Sequence, residues 1–168
     1  MTGTTSIIGL PVPSTDPIFL AIMVVHIGFG LAAVVTGLLA MLSRKGRGRH
    51  ASWGKVYFWC LSGLCATMAA LAVMRWAEDY PLFLLGTLAF ASAWAGRRLR
   101  RRPRLHLAAM GVSYIVMLTA FYVDNGKALP LWKELPAFAY WILPAAIGVP
   151  LIALAWLRHP LARRRAER

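Results

Sequence analysis

From Ile18 to Leu42 the chain carries no aspartate, glutamate, lysine or arginine, and His26 and Thr36 are the most polar side chains in the run. A helix of that length, at about 1.5 Å per residue, is longer than the ~30 Å hydrocarbon layer of a bilayer. Inside lipid every backbone N–H and C=O must be satisfied within the segment, which restricts a spanning chain to α-helices or a closed barrel. The uninterrupted apolar run selects the helix. Similar segments recur over residues 53–74, 80–96, 105–123 and 137–156, separated by short charged stretches. The fold class expected is therefore all-α, an integral membrane helical bundle of five transmembrane helices.

Composition supports this. Hydrophobic residues make up 59% and charged residues 15% of the 168, against about a quarter charged in a soluble domain. The expected organisation is a short extracytoplasmic segment over 1–16, a single transmembrane bundle over 17–157 and a basic cytoplasmic tail over 158–168. Ser14, Thr15 and Asp16 offer N-cap oxygens to the first helix, and Pro17 suits its first turn. Residues 1–16 hold no positive charge and no apolar core of the kind a cleavable signal needs, so the first span is expected to serve as an uncleaved insertion signal. No stretch of letters repeats.

The distribution of charge orients the bundle. Arg44, Lys45, Arg47, Arg49, Lys55, six arginines between 97 and 104, and Arg158, Arg163, Arg164, Arg165 and Arg168 fall on one side, which is 16 of the 19 basic residues. Arg75, Lys127 and Lys133 fall on the other, together with Asp16, Glu78, Asp79, Asp124 and Glu134. The positive-inside rule places the basic side in the cytoplasm and the N-terminus outside. An even number of spans would break the alternation. The location expected is a bacterial inner membrane. The basic loops fit anionic lipid headgroups. They are too short to form a nucleic-acid platform, so the net charge of +13 does not argue for nucleic acid.

Several function classes lack their parts. The chain has no Walker loop, GxGxxG turn, HExxH or GxSxG motif, and no paired carboxylates within a span, which points away from a hydrolase or transferase. Cys60 and Cys65 lie five residues apart in one span, off a shared face, and read as small buried hydrophobes.

Histidines are the remaining candidates for chemistry. His26, Gly30, Ala33 and Gly37 share one face of the first span, and small residues there allow close helix approach. His50, Gly54, Tyr57, Leu61 and Met68 share a face of the second. His106, Met110, Ser113, Met117 and Asp124 share a face of the fourth. Both of these helices run from inside to outside in the five-span topology, so His50 and His106 are expected at similar depth. That is the arrangement of ligands to haem b or a transition metal, with Met110 and Tyr57 lining the site. The alternative is that both are interfacial residues against lipid headgroups. His26 stands about 24 Å along the axis from the inner end of its helix. Its expected company is Asp124, Tyr122 or Tyr80, with Ser113 a further polar residue within the membrane. His159, beside Pro160 in the basic tail, reads as solvated.

The first-span histidine, the Arg47-Gly48-Arg49-His50-x-x-x-Gly54-x-x-Tyr57 opening of the second span and His106-x-x-x-Met110 in the fourth resemble the bacterial predicted membrane proteins grouped as domain of unknown function 2306. The stretch Phe121-Tyr122-Val123-Asp124-Asn125-Gly126, followed by Leu129-Pro130-Leu131-Trp132, is similar to one branch of them. The resemblance covers residues 20 to 156. Ala51 stands where an arginine commonly follows the second histidine. The family name implies a membrane fold and no particular activity.

Three functions follow as expectations. The first is a small membrane protein that binds haem b or a metal ion for electron transfer. The second is a non-enzymatic accessory or assembly subunit of a larger membrane complex. The third is a small transporter or proton pathway using His26 and Asp124. The topology itself is testable by fusion. Alkaline phosphatase fused after Asp79 or Asn125 should be active, and inactive when fused after Arg102; activity at Arg102 would overturn the orientation.

Overall fold

The structure is a computed structural model and describes residues 5–7, 10–12, 16–44, 48–130 and 132–158. Ser14, Thr15, Lys45, Arg47, Leu131, His159 and the basic tail beyond Arg158 lie outside the described residues. Five helices carry the fold: α1 (Pro17–Leu42), α2 (Arg49–Met74), α3 (Trp76–Arg98), α4 (Pro103–Asn125) and α5 (Ala137–Leu157). Two three-residue strands precede them, β1 (Thr5–Ile7) and β2 (Leu10–Val12), paired antiparallel with Thr5 opposite Val12.

Helix starts follow local chemistry. The Asp16 carboxylate accepts from the Ile18 and Phe19 amides at 2.7 and 3.3 Å, which satisfies two of the donors a helix start leaves free. Pro17 and Pro103 occupy first-turn positions where no amide is needed. Large apolar side chains on α1 such as Val24, Leu31, Val35 and Leu38 are exposed, as expected of a helix that faces lipid rather than water. Four helices, α1, α2, α4 with its following turn, and α5, are long and apolar enough to cross a membrane. The chain is a membrane helical bundle. At 23 residues α3 has the length, about 34 Å at 1.5 Å per residue, but Glu78, Asp79, Arg97 and Arg98 at its ends lower its hydropathy.

The chain divides into two compact units, Met1–Phe83 and Leu84–Arg168. In the first, α1 and α2 form an antiparallel hairpin. Ala33, Gly37 and Ala40 of α1 and Tyr57, Phe58 and Leu61 of α2 are buried. A Cβ on Gly63 would stand 2.7 Å from the Phe29 ring, so the small residue is what admits that ring. At the other end of the hairpin Phe19, Met68, Leu71 and Ala72 form an apolar cluster covered by Ile22, Met23, Leu82 and Phe83. Arg75 pairs with Glu78 and lies 5.8 Å from the Phe19 ring centre, within cation–π range.

In the second unit Ala89, Ala93 and Gly96 are the buried residues of α3, and Ser113, Met117 and Thr119 those of α4. A Cβ on Gly96 would meet Met110 Sδ at 2.8 Å and Ala109 Cβ at 3.3 Å. Gly111 and Gly148 admit Ile152 and Ile115 in the same way between α4 and α5. The connection before α5 is pinned by Tyr140, which is 4% exposed and whose hydroxyl lies 2.9 Å from the Trp132 carbonyl and 3.3 Å from that of Leu135. Its ring packs where a Gly126 side chain would stand, 2.6 Å away.

The structure corrects the absence of an internal repeat. Ala33, Gly37 and Ala40 are buried in α1, and Ala89, Ala93 and Gly96 in α3, each pair 56 residues apart. The same offset relates the buried pairs Tyr57 and Ser113, and Leu61 and Met117. Small residues recur at the α1 and α3 positions, whereas Tyr57 and Ser113 share burial alone.

Gly126→Val should destabilise the second unit by about 1–3 kcal/mol, because Tyr140 must leave its seat. Unfolding in a dodecyl sulfate titration measures this. An unchanged midpoint would show that the ring is free to move.

Candidate functional site

The last four carbonyls of a helix have no intrahelical amide partner. Ala40 is in the last turn of α1 and Gly96 in the last turn of α3. His50 Nδ1 lies 2.8 Å from the Ala40 carbonyl, and His106 Nδ1 lies 2.8 Å from the Gly96 carbonyl. In both cases the histidine is ten residues after the carbonyl it meets. Each sits in the first turn of the next helix and caps the end of the previous one across a basic connection. A carbonyl can only accept, so Nδ1 carries the proton and donates. In the neutral ring Nε2 is then the lone-pair nitrogen. The His50–His106 separation is the same 56 residues that relates the buried faces, so the capping histidine belongs to the repeat.

His26 has a different setting. Its Nδ1 lies 2.9 Å from Thr67 Oγ1 on α2. That hydroxyl already lies 2.9 Å from the carbonyls of Gly63 and Leu64. It has one proton to give and gives it to its own helix, so it accepts from His26 Nδ1–H. Thr67 was not among the expected partners of His26. A hairpin register finds it: His26 is 16 residues before the end of α1 and Thr67 is 18 after the start of α2. Residues so spaced about a turn come to similar depth.

The other candidates are placed as follows. Tyr57 is 2% exposed and packs within the first unit. Ser113 is fully buried on α4, and Met110 fills the space left by Gly96. Asp124 is exposed near the end of α4, and its carboxylate accepts from Asn125 Nδ2 at 3.2 Å. The Tyr122 ring lies 4.6 Å from that of Trp132. Tyr80 is 48% exposed. Among the described residues no three histidine, cysteine, aspartate or glutamate side chains come together as a metal site. A transition metal held by three or more such ligands therefore has no site among them.

The family profile of predicted membrane proteins DUF2306 spans residues 23–158. The chain belongs to the DUF2306 family of predicted membrane proteins. The DUF2306 match covers all five helices apart from the first turns of α1 and includes all three capping or interhelical histidines. No curated protein and no solved structure matches the chain.

The His26–Thr67 bond should behave as an interhelical polar contact in lipid. A double-mutant cycle of His26→Ala and Thr67→Val should give a coupling of about 0.5–1.5 kcal/mol in unfolding free energy. A coupling indistinguishable from zero would leave the contact without energetic weight.

Proposed function

We propose that this DUF2306 protein is a five-span protein of the bacterial inner membrane, with its N-terminus outside, that carries electrons on haem b, with His50 or His106 as the histidine that would hold it. The observation that supports the reading is the twice-built histidine. In both halves Nδ1–H donates to a carbonyl at 2.8 Å, which orients the ring and, in the neutral imidazole, makes Nε2 the acceptor nitrogen. An outer-shell acceptor on the far ring nitrogen is the usual setting of a metal-bound histidine. Haem suits this donor set better than a bare ion does, because the porphyrin itself would supply most of the metal's donors and few would be asked of the protein. When bound, the haem iron would supply one-electron chemistry. The protein's part is to hold the imidazoles in one tautomer and to exclude water with apolar helices. The charge alternation of the loops supports the five spans and the orientation.

A second reading has a specific observation in its favour. Capping a helix end through Nδ1 is a complete structural role, and it requires no ligand. On this reading the protein is an accessory or assembly subunit of a larger membrane complex, and the two histidines close its hairpins.

Absorption separates the two. Protein purified in mild detergent from haem-replete cells should show a Soret band, with reduced α and β bands of a low-spin b haem. His50→Ala or His106→Ala should convert that spectrum to high spin or abolish it. The absence of a Soret band overturns the haem reading. Co-purification of a stoichiometric partner without haem would then support the accessory role.

A further inference from the structure

At the basic end of the second unit a guanidinium, an indole and an apolar hollow adjoin one another. Arg104 in the first turn of α4 lies 6.0 Å from the ring centre of Trp156, near the end of α5. Trp156 also lines an open hollow of about 360 Å³ with Val149, Ile152, Ala153 and Leu157. The hollow is apolar throughout. Arg104 Nε is buried and has no hydrogen-bond partner among the described residues. A buried donor left unpaired is unfavourable by about 1–3 kcal/mol, and more for a charged group, so it calls for an acceptor.

Among the described residues of this unit no carboxylate stands at this end. From Leu84 to Val123 the chain has no aspartate or glutamate, while Arg97, Arg98, Arg100, Arg101, Arg102 and Arg104 crowd the turn before α4. The described carboxylates of this unit are Asp124 and Glu134. Asp124 lies at the opposite end of α4, twenty residues or about 30 Å from Arg104. Arg98 stacks on Trp94 at 4.5 Å, which places a second cation over an aromatic ring of the type enriched at membrane interfaces.

We propose that this end of the second unit binds an anionic phospholipid, its phosphodiester on the Arg104 guanidinium beside Trp156 and an acyl chain along the α5 hollow. Charge complementarity selects the occupant. A lone phosphate would leave the apolar hollow unfilled, and a zwitterionic lipid would bring its own cation into an arginine cluster with no carboxylate beside it among the described residues of this unit. The inference is independent of the haem reading, because none of these residues is a haem candidate.

Brominated lipids test it. Nanodiscs of unlabelled phosphatidylcholine are doped with brominated phosphatidylglycerol or, in parallel, brominated phosphatidylcholine at equal mole fraction. The fluorescence of Trp156, taken as the difference between the wild type and Trp156→Phe, should be quenched about fivefold more effectively by the anionic lipid. Arg104→Gln should remove that preference. Inorganic phosphate at millimolar concentration should leave it in place. Equal quenching by the two lipids overturns the proposal and needs no Arg104 variant to fold. Loss of the preference on adding phosphate overturns the assignment to lipid.

Discussion

A helix in hydrocarbon satisfies its own backbone except at its ends, and His50 and His106 each serve one such end. The carbonyls of Ala40 and Gly96 sit in the final turns of their helices. The next helix supplies the donor from its first turn, as His50 in one half and His106 in the other. The same bond that ties each helix end to the next helix also fixes the tautomer of the imidazole. Any ligand role for Nε2 would depend on that pair being in place.

The small residues have the same logic. In lipid there is no hydrophobic force to press one apolar helix on another, so close approach and interhelical hydrogen bonds must hold the hairpins. Ala33, Gly37 and Ala40 in α1 and Ala89, Ala93 and Gly96 in α3 provide the approach. His26 and Thr67 provide a bond across the first hairpin. The glycines that face Phe29, Met110 and Tyr140 admit bulky partners that a methyl group would displace. The 56-residue spacing of the buried residues and of the capping histidines relates α1 and α2 to α3 and α4. Their surroundings differ, with an apolar cluster around Phe19 in one unit and the Tyr140 loop anchor in the other.

Much of the fold was legible in the letters because the bilayer imposes simple rules. The apolar run from Ile18, the Asp16-Pro17 start and the basic stop mark α1 without reference to any other helix. The face of α2 through Tyr57, Leu61 and Met68 and that of α4 through Ser113 and Met117 followed from helical spacing alone, and these residues are buried. The bonds of the histidines were less legible. Interfacial placement of His50 and His106 could be expected, but their acceptors are backbone carbonyls, which every residue has and no sequence pattern marks. Thr67 escaped notice for a related reason: threonine in a membrane helix usually bonds its own helix, as Thr67 also does. Asp124 and Tyr122, which polarity alone made attractive, lie by a loop with Asn125 and Trp132.

The sequence by itself determined that this chain is a bundle of apolar helices with basic connections, since span length and charge placement are one-dimensional quantities that a membrane reads directly. It also carried enough of the family pattern for membership in DUF2306. Tertiary structure decided which nitrogen of each histidine is engaged, that Arg104 meets Trp156 across half a hundred residues, and that two dissimilar stretches repeat one packing scheme. Those properties depend on contacts between helices, where a short residue matters for the space it leaves and a carbonyl for its place at a helix end. Neither is written in the identity of a single letter.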